Sequence, residues 1–329
     1  MPERSQTDLG PRPEPRDAPK AGPRDAVPEA VPYDTRYAVD RPFGLREARQ
    51  YCRRLARSHY ENFLVGTLFV PHHLHEHFHS IYAYCRVADD LADESPSPER
   101  ALQLLDWWER ELDLAYAGAP RHPVFVALAE TVVTFGIPRQ TLADLLVAFR
   151  QDQVVRRYDT FDQLLDYCRH SANPVGRLVL HLFGYTDDHR RCLSDATCTA
   201  LQLANFWQDV VPDFERGRMY IPAEDMRRFG VTEEQIANRE CTSGFRELLK
   251  FECARARELF SHGSALASVV PGRLRLDVEM FTEGGLEVLR RIERQGYDVL
   301  SRRPAIPKSR QAALLIGRLA RSLTPWSRR

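Results

Sequence analysis

From about Leu45 onward, apolar residues recur at three- and four-residue steps, and no alternating strand pattern survives inspection. That period confines the chain to helices, each burying one stripe against its neighbours. Ser97 to Tyr116 opens with Ser-Pro and closes before Gly118, which is helix punctuation at both ends. Leu142, Leu145, Leu146 and Phe149 share a stripe in a helix expected over Pro138 to Val154. Further helices are expected over Phe161 to His170, Val175 to Phe183 and Asp187 to Val211, separated by Asn173-Pro174 and Gly184. A long one from Ser243 to Val269 stops at Pro271-Gly272, and another runs from Leu274 to Leu300. No repeat of fixed period is visible. The expectation is a single all-α domain over residues 42–329, larger than a four-helix bundle and built around something central.

Residues 1–41 read differently. Pro11, Pro13, Pro15, Pro19, Pro23, Pro28 and Pro32 alternate with Arg, Asp, Glu and Ala, and apolar residues are sparse. Such a segment buries too little surface to offset its ordering entropy, so a disordered tail is expected, with a docking peptide as the alternative. The 46 basic and 46 acidic residues cancel, leaving no global electrostatic footprint for nucleic acid. Seven scattered cysteines without a C-x-x-C pair suit reduced thiols in a cytosol. The opening residues do not resemble a signal peptide, and the most apolar stretch, Leu178 to Phe183, is far too short to span a bilayer. A cytoplasmic protein is expected.

Two apolar helices carry carboxylates where core residues belong. In Ser80 to Glu94, Asp89 and Asp93 are four apart on one face, with Asp90 adjacent. In Leu201 to Asp213, Asn205, Asp209 and Asp213 follow at successive four-residue steps. Like charges at that spacing repel, and in an apolar setting unpaired carboxylates cost far more, so a cation is called for. Hard oxygen donors with room for water and phosphate describe Mg²⁺. Two such helices facing each other would grip a diphosphate; two solvated acidic faces, paired with Arg86 and Arg216, are the plainer alternative. Pro212 has no N–H and disfavours helical backbone at Val211, so a kink there would make Asp213 the weakest of the ligands.

These stretches resemble the two aspartate signatures of the squalene/phytoene synthase family. The second continues through Glu215-Arg216-Gly217-Arg218-Met219-Tyr220-Ile221-Pro222, and the likeness extends over roughly residues 45–310. The resemblance implies the all-α isoprenoid-synthase fold around a central cavity, and Mg²⁺-dependent ionisation of a prenyl diphosphate. It implies Asp89, Asp90, Asp93, Asn205, Asp209 and Asp213 as metal ligands and Arg86 as a diphosphate-facing arginine. Tyr82 and Tyr167 match tyrosines near the reacting carbons, though ordinary core aromatics would read the same way. Gln202 completes a Gln-x-x-Asn-x-x-x-Asp arrangement that favours the condensing family over terpene cyclases. His59 and Phe63 match a flap before the first motif. Arg218, Arg303 and Lys308 are implied as cations on the substrate side.

Glu61-Asn62-Phe63, Cys168 to Gly176, Asn205 to Asp209 and Glu293 to Asp298 are similar to the bacterial hopanoid-pathway branch. One member of that branch makes presqualene diphosphate and another converts it with water to hydroxysqualene; the resemblance is to the second. Where other family members have Val-Ala-Gly, this chain has Ser171-Ala172-Asn173. Ser171 and Asn173 either hold the water that captures the final cation or form a polar cap at the Asn-Pro break. Gln208 replaces an arginine of some relatives, weakening the case for a second diphosphate. NADPH is not expected in this branch. The other readings are head-to-head condensation of two farnesyl or geranylgeranyl diphosphates, and a non-catalytic assembly factor. A presqualene diphosphate synthase is the natural partner.

Two further signals stand apart. His72, His73, His75, His77 and His79 crowd the start of the first acidic helix and read as a surface face with incidental metal affinity. After Asp298 the chain has no acidic residue, while Arg302, Arg303, Lys308, Arg310, Arg318 and Arg321 accompany Leu314, Leu315, Ile316, Leu319 and Trp326. That pattern fits either a helix lying on the inner face of an anionic membrane or a lid packed on the domain.

Overall fold

The computed structural model describes residues 36–39, 41–58 and 70–305. The Pro-rich segment up to residue 35, His59, Phe63, Lys308 and the basic stretch after residue 305 lie outside the described residues. The chain divides into two units, residues 1–38 and 39–329. All the described helices belong to the second, and no strand occurs among the described residues, only an isolated bridge between Arg157 and Met219.

Helix α1 spans Leu45–Ser58, and after a 3₁₀ turn at His72–Leu74 comes α2, His75–Asp93. Pro98 starts α3 (Pro98–Tyr116), whose N-terminus is capped by the Ser97 hydroxyl accepting from the Arg100 N–H. Then follow α4 (Pro123–Phe135), ended by Gly136 in the left-handed region, and α5 (Arg139–Val154). Helices α6 (Phe161–Ser171) and α7 (Asn173–Leu182) meet at Ala172, with Pro174 in the first turn of the second, where its missing N–H costs nothing.

The expected helix from Asp187 to Val211 is split. α8 runs over Asp188–Gln208 and α9 over Val210–Glu215. Pro212 has no N–H to offer the Gln208 carbonyl four residues back, so the break falls at Asp209 and not at Val211. The Asp213 N–H still donates to the Asp209 carbonyl at 2.9 Å, so the second acidic stripe persists across the break.

Short helices α10 (Ala223–Arg228) and α11 (Glu233–Ala237) lead to α12 (Ser243–Gly263), α13 (Leu266–Val269) and α14 (Gly272–Arg294). The single helix expected from Ser243 to Val269 is thus interrupted after Gly263, and the last helix ends at Arg294, short of Leu300. No described helix is long and apolar enough to cross a membrane.

Helix α8 is central, packing against α7, α12 and α14, while α2 packs against α1, α3, α4 and α5. One core gathers Leu203, Trp207, Phe245, Leu249 and Phe260 around α8 and α12. Another contact set stacks Tyr84 of α2 on Trp108 and sets it edge-on to Phe125. Burying each such ring stabilises the fold by roughly 1.5–3 kcal/mol. Both acidic helices are therefore anchored by their apolar faces, which fixes where their carboxylates stand.

Candidate active site

A cavity of about 350 Å³ lies among α2, α7, α8, α13 and α14. Helix α2 lines it with Phe78, Ile81, Tyr82 and Cys85, and α8 with Ser194, Thr197, Cys198 and Leu201. Close helix approach shapes it. A Cβ on Gly176 would collide with Ser194 Oγ and Cys198 Sγ, and one on Gly285 would collide with Phe260, so α7 and α14 reach their neighbours only through glycine.

The cavity faces of α2 and α8 continue into the two acidic motifs. Ile81 and Cys85 precede Asp89 and Asp93 at four-residue steps, and Leu201 precedes Asn205 and Asp209 in the same way. Apolar lining therefore passes into carboxylate within one helix on both sides. The motif side chains stand at a rim, since the Asp89 carboxylate is half-buried and the Asp93 carboxylate and Asn205 amide are exposed. Asp90 turns the other way, 4% exposed, and pairs with Arg86 at i−4.

Arginines now hold the acidic groups. Arg86 reaches Asp89 at 3.2 Å as well as Asp90. Arg218, from the loop after α9, donates to Asp93 at 3.2 Å, so it links the second motif's tail to the first motif. Arg303 grips Asp209 with two nitrogens, one at 3.0 Å, and Asn205 Nδ2 donates to the same carboxylate at 3.2 Å. Gln208 Nε2 donates to the Pro304 carbonyl, tying the segment that carries Arg303 to α8.

Asp152, near the end of α5, is a member of this site that sequence reasoning missed. It accepts from the Tyr167 hydroxyl at 3.1 Å and lies in the field of Arg218. Tyr167 is buried against Tyr158, Phe206 and Tyr220, and Phe206 stacks on Tyr220 with ring centroids 3.8 Å apart. Tyr167 thus belongs to an aromatic block beside Arg218, whereas Tyr82 lines the cavity itself.

The electrostatics favour an added cation. Burial first, then the neighbouring Asp93, pushes the Asp89 carboxyl up to about 6. Burial and Asp209 do the same to Asp213, and burial does so to Asp152, each to about 6. These acids stay short of compensating charge even with Arg86, Arg156, Arg216, Arg218 and Arg303 in their fields. The donor set is all hard oxygen, from Asp89, Asp93, Asn205, Asp209 and Asp213, which fits Mg²⁺ and not a softer metal. Among the described residues no three such side chains converge into a closed cage. A divalent ion would have to displace Arg218 and Arg303 from the carboxylates they occupy.

Asn173 is buried and its Oδ1 accepts from Thr199 Oγ1 at 2.9 Å; the Ser171 hydroxyl is buried with no hydrogen-bond partner among the described residues. Neither is among the described lining residues of the cavity. Gln202 is half-buried on α8. Within the His72–His79 cluster only His72 and His73 are exposed. His75 bonds the Val70 carbonyl at 3.0 Å and His77 bonds Thr131 at 2.9 Å, so much of this group supports packing instead of forming a surface face.

The squalene/phytoene synthase family model matches residues 56–310. The chain is 30% identical over 274 residues to a phytoene synthase of Arthrospira platensis, covering 79% of this chain and 89% of that one. It is 31% identical over 286 residues to a 15-cis-phytoene synthase of Synechocystis, covering 82% and 84%. Among solved structures, squalene synthase HpnC from Alicyclobacillus acidocaldarius superposes with a TM-score of 0.75 at 48% identity, covering 77% of this chain and 96% of that one. A dehydrosqualene synthase shares the fold, with a TM-score of 0.75 at 23% identity over 84% of this chain and 97% of that one. With two acidic helix ends opening over one apolar cavity, this chain belongs to the squalene/phytoene synthase family of isoprenoid-processing enzymes.

Proposed function

We propose that this enzyme converts presqualene diphosphate to hydroxysqualene, in a Mg²⁺-dependent reaction of diphosphate ionisation, carbocation rearrangement and water capture. The observation that carries this is the run of cavity lining into carboxylate along both α2 and α8. A molecule with a long hydrocarbon body and a diphosphate head matches that polarity. The 48% identity to squalene synthase HpnC supports the branch.

In this reading Asp89, Asp93, Asn205, Asp209 and Asp213 would hold the metal, whereas Asp90, expected among the ligands, instead fixes Arg86 behind them. Bound Mg²⁺ supplies Lewis-acid stabilisation of charge on the departing diphosphate. Arg86, Arg218, Arg303 and Lys308 bind the diphosphate oxygens, where negative charge develops in the transition state. Tyr82 presents a ring face to cationic carbon, and Tyr167 does so from the aromatic block, each contributing about 2 kcal/mol where water is excluded. His59 and Phe63 cover the substrate, Gln202 borders it, and Ser171 and Asn173 supply polar groups at the α6–α7 junction. The apolar lining keeps bulk water from the cation.

Residues 42–329 form the catalytic domain. A presqualene diphosphate synthase supplies the substrate, in the cytosol, and the basic stretch after Asp298 attaches the enzyme to the inner membrane face. Flotation on anionic liposomes that weakens with salt would support that attachment. No reductant enters the reaction, so NADPH should have no effect.

The phytoene synthase relatives favour a second reading, head-to-head condensation of two farnesyl or geranylgeranyl diphosphates. Mass spectrometry of products separates the two. Presqualene diphosphate offered alone, with Mg²⁺, should give an alcohol, and farnesyl diphosphate alone should give nothing. Consumption of farnesyl or geranylgeranyl diphosphate would establish condensation instead. If none of these substrates is turned over with Mg²⁺ present, the chain is a non-catalytic relative.

A further inference from the structure

Helix α14 sends the stripe Leu274, Asp277, Val278 and Phe281 into the cavity wall. Three of these four are apolar, and the fourth is a carboxylic acid that is only 5% exposed. Its Oδ1 is sealed from solvent without a hydrogen-bond partner among the described residues. Burial perturbs the group, and among the described residues no neighbouring charge or hydrogen bond offsets it, so the carboxyl is pushed up to about 7. Buried polar groups are ordinarily paired, so an unpaired acid facing an apolar cavity calls for a ligand. The acidic motifs lie at the far ends of α2 and α8, and Arg86, Arg218 and Arg303 are occupied there. Asp277 is thus the one acid among the described lining residues, away from the site that would hold the diphosphate. Ser194 and Thr197, both buried, add hydroxyls to the same lining.

We propose that Asp277 holds the water that captures the carbocation and accepts its proton, making this residue the determinant of alcohol over hydrocarbon product. This rests on the hydroxysqualene reading. The bond between carbon and diphosphate oxygen breaks with its electron pair leaving on the diphosphate. The water oxygen then forms the new bond to the cationic carbon, and one of its O–H bonds gives its proton to the Asp277 carboxylate. No oxidant or reductant is needed. An aspartate inside the hydrocarbon space directs a single water to a cation that bulk water does not reach.

The test uses the full-length enzyme with Mg²⁺ and presqualene diphosphate, measuring diphosphate release and product composition together for wild type, Asp277→Asn and Asp277→Leu. Both variants remove a buried, unpaired acid, so both should fold and melt no lower than wild type. Substrate consumption should be retained in part while the alcohol share of the product falls at least tenfold, replaced by hydrocarbons formed through proton loss. Variants with an unchanged alcohol share overturn the proposal, and so do variants that fail to fold, because the carboxyl would then be a structural requirement. Wild-type enzyme that consumes presqualene diphosphate without forming alcohol overturns the proposed function itself, a result distinguishable from failure at Asp277.

Discussion

Arg218 donates to Asp93 at 3.2 Å across 125 positions of sequence, and that contact joins the two acidic motifs. The same guanidinium lies in the fields of Asp152 and Tyr220, and its pKa is raised chiefly by those acidic neighbours against the opposing effect of burial. It is therefore the cation through which the first motif, the end of α5 and the tail of the second motif share charge. On the proposed reading, a group so placed would be free to bind the diphosphate once a metal neutralised the carboxylates.

Arg218→Met, which keeps much of the apolar stem but removes the charge, is expected to lower kcat/KM at least a hundredfold, about 3 kcal/mol of transition-state stabilisation. Arg218→Lys should recover only part, because one ammonium cannot serve Asp93 and a diphosphate with the same planar fork. Steady-state kinetics with presqualene diphosphate at saturating Mg²⁺ check this. Near-normal kcat/KM in Arg218→Met would remove Arg218 from the site.

Asp89 and Asp209 test the metal directly. Asp89→Asn or Asp209→Asn should reduce turnover by about a thousandfold or more, the scale lost with a principal charge-stabilising group. Asp89→Asn should not lower the melting temperature. Its carboxyl is already disfavoured by burial and by Asp93, so losing the charge relieves repulsion. Isothermal titration with Mg²⁺ and a diphosphate analogue should show binding to wild type and weakened binding to either variant. Turnover without added metal in chelator-treated wild type would sink the assignment.

The helices and both acidic stripes could be read from sequence because period and spacing are local properties. Asp89 and Asp93 share a face at any α-helical twist, and Asp90 at the next 100° step turns inward, where Arg86 waits one turn back. Asp277 could not be read the same way. In Arg273-Leu274-Arg275-Leu276-Asp277 the apolar Leu276 is only half-buried while Asp277 is buried, the reverse of what side-chain polarity indicates. Asp152 joins the site through Tyr167, Arg218 and Asp93, partners 15, 66 and 59 positions away that tertiary packing brings near. The split at Asp209 was half legible: Pro212 announced a break, but its missing N–H acts on the carbonyl four residues earlier.

Gly176 offers a test of how the cavity is closed. Its missing Cβ is what lets α7 approach Ser194 and Cys198 on α8. Gly176→Ala forces the two helices apart or Ser194 and Cys198 off their positions, and overpacking of this kind costs about 1–3 kcal/mol. The variant should melt several degrees below wild type, and its KM for a long-chain substrate should rise because the displaced groups line the cavity. A melting temperature equal to that of wild type would mean that the backbone yields without cost.

Away from the site, Glu252 of α12 is fully buried beside Asp225, with Arg255 Nη1 2.5 Å from Asp225 and 3.4 Å from Glu252. One guanidinium serves two carboxyls, and burial pushes Glu252 up to about 8. Because its folded pKa lies above the ordinary glutamate value of 4.5, the folded state binds the extra proton. This contribution to stability is complete below about pH 4.5 and is lost progressively as the pH rises toward 8. Glu252→Gln replaces the protonated acid with an amide that donates to Asp225 at every pH. The variant should match wild type at pH 5 to within a degree or two and melt several degrees higher at pH 8.5, as a gain of about 2 kcal/mol would give. Thermal melts of the pair across that range check the sign: a gap that narrows with rising pH would mean that Glu252 is held ionised by Arg255 and that the pair is an ordinary buried salt bridge.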